Sequence, residues 1–269
     1  MQVSVIVTTY NREDALLNVL NSLINQNHSE FEVIVADDGS TRNTQDTICE
    51  FHANSQLNLK HIWQEDKGFR AAKSRNKAVA ESEGDYLIFM DGDCIAFPNF
   101  ISKHIQLAEQ GYFVRGSRVM LSESYTQEFI HSQIQPPKIS VLDLLCLWKA
   151  RKIKRIAPLV TLPLGMLRKL KEKNWYGVKT CNLGMWREDF LAVNGFDEQY
   201  IGWGHEDADL AIRLINNGVY RKEGVNAVTV LHLWHALNDR THLEDNENRL
   251  EKRLRSNTTR INLGVSQYL

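Results

Sequence analysis

Apolar positions change their period in a regular way over residues 3–90. Val3 to Thr9 is β-branched and apolar almost without interruption, the pattern of a buried strand. Leu16, Leu20, Leu23 and Ile24 then recur at helical spacing, behind Asn11 as the expected N-cap and Glu13 and Asp14 in the first turn. Phe31 to Ala36 predicts a second strand that ends at Asp37-Asp38-Gly39-Ser40-Thr41, and a helix follows to about Ala53. Leu59 to Trp63 predicts a short strand, Ala71 to Ser82 a helix, and Asp85 to Met90 another buried strand. This alternation predicts an α/β fold with a mostly parallel central sheet and right-handed crossovers.

Beyond Asn99 the pattern predicts a helix to about Glu109, a strand from Phe113 to Val119, a helix through Leu210-Ala211-Ile212-Arg213-Leu214 and a strand from Ala227 to Leu231. Residues 120–175 depart from it. Pro136-Pro137 breaks the chain, and the apolar run Val141 to Trp148 is followed by Lys149, Arg151, Lys152, Lys154 and Arg155. A second apolar run, Ile156 to Leu167, ends in Arg168-Lys169-Leu170-Lys171. The segment reads as an insertion carried on the core domain. The polar tail, Asn238 to Leu269, reads as a helix on the outside.

Composition adds one asymmetry. An apolar content of 43% and a charged content of 24% are those of an ordinary folded domain, and a net charge of −1 argues against a general nucleic-acid binder. Residues 138–173 nevertheless hold ten Lys or Arg and only two acids, Asp143 and Glu172. Peripheral contact with an anionic membrane that carries a lipid-linked acceptor is one expectation for such a segment. An acidic polysaccharide acceptor and a packed helical subdomain are the others. The start, Met1-Gln2-Val3-Ser4, has no signal-peptide pattern, and no run reaches the ~18 apolar residues of a spanning helix. Cys49, Cys94, Cys146 and Cys181 form no CxxC pair and read as reduced thiols. The expectation is a cytoplasmic protein, at most peripheral at the inner face of the membrane.

The chemistry concentrates at strand ends. Thr8-Thr9-Tyr10-Asn11-Arg12, Asp37-Asp38 and Asp91-Gly92-Asp93 each follow a predicted strand, and parallel strands bring all of these ends to one edge of the sheet, where open α/β sheets bind ligands. An Asp at such an edge can accept the imide N–H of uracil while Tyr10 packs nearby. Asp91 can reach a ribose or a metal, and Asp93 can ligate Mg²⁺ or Mn²⁺ through hard oxygen. Lys67, Arg70 and Arg75 stand at the start of a predicted helix, where a diphosphate would find cations and a favourable dipole. Gly202-Trp203-Gly204-His205-Glu206-Asp207 joins a flat indole to a pair of acids, one of which could serve as a general base. His232 and His235, three apart after a predicted strand, read as metal ligands. The turn after the first strand has no glycine, so a dinucleotide fingerprint is absent.

In order and spacing these residues resemble family 2 glycosyltransferases of the GT-A fold, in particular the chondroitin-polymerase and β-1,4-galactosyltransferase type of domain. The matching stretches are Val5 to Arg12, Asp37 to Ser40, Gly68 through Asn76, Asp91 to Asp93, Asn194-Gly195-Phe196-Asp197-Glu198, Trp203 to Asp207, and His232. The resemblance implies a single GT-A domain over 1–269, with a nucleotide-sugar-binding half (1–110), an acceptor half (111–240, carrying the insertion) and a tail (241–269). It implies an inverting hexosyl or N-acetylhexosaminyl transferase that uses a UDP-sugar with Mn²⁺ or Mg²⁺, in bacterial surface-polysaccharide or lipopolysaccharide synthesis. By position, Asp38 would bind uracil with Asp37 beside it, Asp93 and His232 would hold the metal with help from His235, and Asp91 and Gly92 would face ribose or metal. Asp207 would be the catalytic base, Trp203, Gly204 and Glu206 would shape the sugar pocket, and Asn182 would contact the donor sugar. His205 departs from the pattern, since relatives often carry glycine there. A nucleotidyltransferase and a non-catalytic carbohydrate-binding relative are the alternatives. The first usually needs a Gly-rich loop after the first strand, which this chain lacks.

Overall fold

A computed structural model describes residues 1–132, 141–236 and 239–269, with only the backbone of Ser132 and Val141. Pro136-Pro137 and Lys138 lie outside the described residues. The first half follows the expected order: β1 (Val3–Thr9), α1 (Glu13–Ile24), β2 (Phe31–Asp37), α2 (Arg42–Asn54), β3 (Leu59–Trp63), α3 (Ala71–Ala80) and β4 (Tyr86–Asp91). Next come β5 (Cys94–Ala96), α4 (Phe100–Leu107), β6 (Tyr112–Arg115), β7 (Ser117–Met120), α5 (Glu123–Ser132) and α6 (Val141–Lys149). The last third holds β8 (Asn182–Trp186), α7 (Arg187–Ala192), α8 (Glu206–Asn216), β9 (Tyr220–Glu223), β10 (Thr229–His232) and α9 (Leu243–Leu254).

The main sheet has the order β3-β2-β1-β4-β8-β6-β9. β1 to β4 are mutually parallel, and β8 runs antiparallel to both β4 and β6. The sheet is therefore mixed and mostly parallel. Both of its faces are covered. Val5, Val7, Ile88 and Met90 meet Leu16, Leu20 and Leu23 of α1 on one side, and Ile6, Ile34 and Phe89 meet Ala72, Val79 and Phe196 on the other. Covering both faces is why these strands read as continuous apolar runs rather than alternating ones.

Three expectations are corrected. The run Phe113 to Val119 is two strands, because the chain bends at Gly116 and β7 leaves the main sheet for a small one, β5-β10-β7. Asn182 lies so close at that bend that a Cβ on Gly116 would stand 2.1 Å from its side chain. Asn11 does not cap α1. Arg12 occupies the N-cap position without a side-chain cap bond, and Asn11 takes a left-handed φ of 46°. From there its Oδ1 accepts the Thr41 amide at 2.8 Å and its own amide donates to Ser40 Oγ at 2.9 Å, clamping the β1 and β2 loops together. The tail does form an outer helix, α9, with Asn246 and Leu250 buried, but the chain then returns and seats Val265 in the core.

Candidate active site

The carboxyl ends of β1, β2 and β4 open with the start of α8 onto a cavity of about 490 Å³. Thr8, Tyr10, Arg12, Asp38, Arg75, Asp91, Gly92, Asp93, Trp203, Gly204, Glu206, Asp207 and His235 all line it. Gly92 is forced by proximity: a Cβ there would come within 2.8 Å of the Thr8 carbonyl, so the DxD turn could not lie against β1.

At one end, Asp38 is buried with Oδ1 accepting Gln64 Nε2 at 2.6 Å and Oδ2 accepting the Arg70 amide at 2.7 Å. Burial pushes its carboxyl up to about 6, against the lowering effect of those two bonds. Tyr10 stands exposed beside it and donates its hydroxyl to Asp66 at 2.9 Å.

The buried Arg75 bonds to protein through all three of its nitrogens. Nε donates to Thr8 Oγ1 at 3.0 Å, Nη2 to Asp91 Oδ1 at 3.1 Å and Nη1 to Glu206 Oε1 at 3.1 Å. One guanidinium thus ties together the ends of β1 and β4 and the first turn of α8. Burial and then the adjacent Asp207 charge raise the Glu206 carboxyl, and Arg75 opposes both.

Beside it lies a cluster suited to a cation. Asp93, Cys94 and His232 bring ligand atoms within 4.8 Å of one another, and the Nε2 atoms of His232 and His235 are each 3.5 Å from an Asp93 oxygen. Nδ1 of His232 donates to the Leu233 carbonyl at 2.8 Å, and Nδ1 of His235 to the Ala236 carbonyl at 2.6 Å. A carbonyl only accepts, so Nδ1 carries the proton and a neutral ring turns the lone pair of Nε2 toward the carboxylate. Such an arrangement is repulsive unless a proton or a metal ion lies between; the carboxylate suits a hard ion and the imidazoles a transition metal, so the set fits Mn²⁺ better than Mg²⁺. Burial holds the Cys94 thiol well above its ordinary pKa, so it remains protonated and is a poor ligand for a hard ion.

At the far end, Asp207 is buried in the first turn of α8, where the helix dipole favours a carboxylate, and its Oδ2 is 3.3 Å from Lys179 Nζ. His205, just before the helix, adopts a left-handed φ of 75°, the conformation that glycine takes without strain.

Some expected residues stand elsewhere. Asp37 is wholly buried outside the cavity; burial alone would raise its carboxyl, but bonds from His61 and Ser40 hold it below the usual range. Lys67 is exposed and paired with Glu65, and Arg70 reaches Asp38 only through its amide. Asn182 is buried and spent, donating to the Ser117 carbonyl at 2.9 Å and facing His104 Nε2 at 3.0 Å. His232 is buried behind Asp93 rather than in the wall. The cavity also recruits Phe69, Arg118, Lys179, Thr180 and Cys181, none of which stood out in the sequence. Lys179 had one available signal: it just precedes an apolar run that pairs with the strand ending in the DxD.

Residues 4–164 match the model for glycosyl transferase family 2. The chain belongs to this family. Residues 166–235 match a second model, described as the N-terminal domain of galactosyltransferase. Among curated relatives, the validoxylamine A glucosyltransferase of Streptomyces hygroscopicus subsp. limoneus is 29% identical, over 80% of this chain and 48% of that protein. The chondroitin synthase of Escherichia coli is 27% identical, over 81% of this chain and 32% of its own length. The chain thus spans half or less of the length of these relatives. Staphylococcus aureus TarS superposes with a TM-score of 0.63 at 20% identity, covering 100% of this chain and 41% of that one. A mannosyltransferase from Pyrobaculum calidifontis, solved with GDP-Man and Mn²⁺, gives 0.61 at 18% identity over 86% and 56%. These neighbours establish the GT-A fold, and the glycosyltransferase class rests on the family.

Proposed function

We propose that this glycosyltransferase transfers a hexose or N-acetylhexosamine from a UDP-sugar to a saccharide hydroxyl with inversion, in a metal-dependent reaction of surface-polysaccharide synthesis. The observation that carries the reading is a single cavity lined by the buried carboxylate of Asp38, by Asp93, which faces two imidazoles, and by Asp207. Asp38 accepts the uracil imide N–H. Asp91, fixed by Arg75, faces the ribose, and Trp203 with Glu206 frames the sugar. Arg75 gives three of its five N–H groups to Thr8, Asp91 and Glu206, so its first role is to hold Asp91 and Glu206 in place.

Asp93, His232 and His235 would hold Mn²⁺ or Mg²⁺, which when bound supplies positive charge to the departing diphosphate. Asp207 takes the proton of the acceptor hydroxyl once Lys179 has turned aside. The hydroxyl oxygen attacks the anomeric carbon as the bond to UDP breaks on the opposite face, so an α-linked donor gives a β-glycoside. The UDP-GlcNAc and GDP-Man complexes among the structural neighbours support a nucleotide-sugar donor. Chondroitin synthase and the poly(ribitol-phosphate) β-N-acetylglucosaminyltransferase among the relatives support a polymeric or surface acceptor.

The test is UDP release from UDP-Gal, UDP-GalNAc, UDP-Glc and UDP-GlcNAc, with Mn²⁺ and with EDTA, against GDP-Man. Turnover of a UDP-sugar that stops with EDTA is expected. Turnover unaffected by EDTA, a preference for GDP-Man, or formation of UTP from pyrophosphate would each overturn the proposal.

A further inference from the structure

The exposed apolar side chains of this molecule are unevenly placed. Leu142, Leu145 and Trp148 of α6, then Val160, Leu162, Met166, Leu167 and Leu170, all lie open to solvent. Met166, Leu167 and Leu170 are 75%, 60% and 78% exposed. Elsewhere exposed large apolar residues are mostly scattered singly, which is ordinary; a run of them is not. Interleaved with these are six exposed cations: Lys149, Arg151, Lys154, Arg155, Lys171 and Lys173. None of the six forms an ion pair among the described residues, whereas their neighbours Lys152 and Lys169 are paired with Glu128 and Glu109.

This strip is built in rather than trailing. The buried Arg168 donates to the carbonyls of Leu162 (2.7 Å), Glu223 (2.8 Å) and Val225 (2.9 Å), and Asn226 donates to the carbonyls of Ala157 and Val160. Residues 157–168 of the strip are therefore tied to the carboxyl end of β9, while Glu172 accepts the Arg221 amide and Lys173 lies over the Tyr220 ring at its amino end. The ladders pair Glu223 with Arg115, Arg115 with Leu183, and Asn182 with Met90, so the carboxyl end lies along the same edge of the sheet as Asp91. Between the strip and α4 runs an apolar groove of about 550 Å³, walled by Leu107, Leu162 and Met166, with Lys103, Lys169 and Lys222 at its rim.

We propose that this strip docks the enzyme on an anionic lipid bilayer, with Met166, Leu167 and Leu170 at the acyl boundary and the six cations among headgroup phosphates. A soluble polyanion would satisfy the cations but leave the apolar tips in water; a bilayer satisfies both. An enzyme docked on a bilayer favours an acceptor carried on lipid. That last consequence rests on the transferase reading, and the docking does not.

The experiment is co-sedimentation of the full chain, without substrate, with vesicles rich in phosphatidylglycerol and with pure phosphatidylcholine vesicles. Two variants are compared, Met166→Ser/Leu167→Ser/Leu170→Ser and Lys149→Ser/Arg151→Ser/Lys154→Ser/Arg155→Ser. No substituted residue lines the catalytic cavity, so donor hydrolysis reports folding and stays unchanged in both. Wild type is expected to sediment with the anionic vesicles only, and each variant to partition at least about tenfold more weakly. Wild type left in the supernatant, or an apolar variant that sediments like wild type, overturns the proposal. Loss in the charge variant alone, with full competition by soluble heparin, also overturns it and points to an acidic glycan. Loss of donor hydrolysis by wild type counts against the proposed function and leaves the docking result standing.

Discussion

The two halves of the cavity are built by different means. On the β1–β4 side each polar group stands at or just past the end of a parallel strand, so the backbone ladders that set Thr8, Asp38 and Asp91 also fix their spacing. On the far side, Glu206 and Asp207 start a helix behind the left-handed His205, and Lys179 stands half-exposed before β8. The first side is a grip that backbone geometry holds rigid. On the proposed reading, the second depends on side chains that let go of one another, with Lys179 releasing Asp207 before the acceptor is deprotonated. Arg75 is the tie between them, and its three bonds make the halves mutually dependent.

The comparison is tested most severely at the second half's base. Asp207→Asn should lower turnover by roughly 10³-fold, within the range for loss of a general base, while UDP still binds with metal in calorimetry. Near-normal turnover would remove the base from Asp207. Breaking the tie comes next. Arg75→Ala leaves the buried Glu206 carboxylate and the partly exposed Asp91 carboxylate without their cation, a loss of about 3 kcal/mol, which denaturant unfolding measures. Arg75→Lys should recover part of that stability but not the bidentate geometry; a variant as stable as wild type would mean that the halves are independent.

The grip has its own pH signature. The Asp38 carboxyl lies at about 6, so its ionised fraction falls as pH drops through that value. UDP affinity should therefore weaken by about tenfold between pH 7.5 and pH 5, and Asp38→Asn should flatten the profile. An unchanged affinity at pH 5 would show that the ionised carboxylate is not needed. The smallest effect belongs to the strained turn: His205→Gly should stabilise the fold by up to about 1 kcal/mol without altering UDP affinity. A lower melting temperature would mean that the imidazole contributes packing that outweighs the strain.

Legibility in the sequence follows the same division. β1, β2, β4 and α1 could be read because strands covered on both faces are unbroken apolar runs and α1 keeps an apolar stripe, while α3 was legible through helix propensity. The acids at their ends then fell into place. Phe113 to Val119 looked like one strand because a single glycine between Arg115 and Ser117 does not reveal that its two sides enter different sheets. Asn182 is expected on the donor sugar from the family resemblance alone, and position in a motif does not tell whether the amide meets a substrate or the Ser117 carbonyl. Lys179 went unnoticed since a cation before a strand carries no periodicity. Asn11 was misread as a cap because its side chain serves the neighbouring loop instead of its own helix.

One ladder carries a consequence for how the proposed ion site comes into being. β10 pairs antiparallel with β5, placing His232 opposite Cys94, and the Leu233 amide donates to the Asp93 carbonyl at 2.9 Å. The separation of Asp93 from His232 is thus a matter of strand register, and a slip of one residue would turn the imidazole to the opposite face. The small sheet works as a caliper that is set before any ion arrives. Exchange of the Leu233 amide proton should then be slow in the apo protein and hardly slower with metal, the mark of a site whose cost of organisation was met during folding.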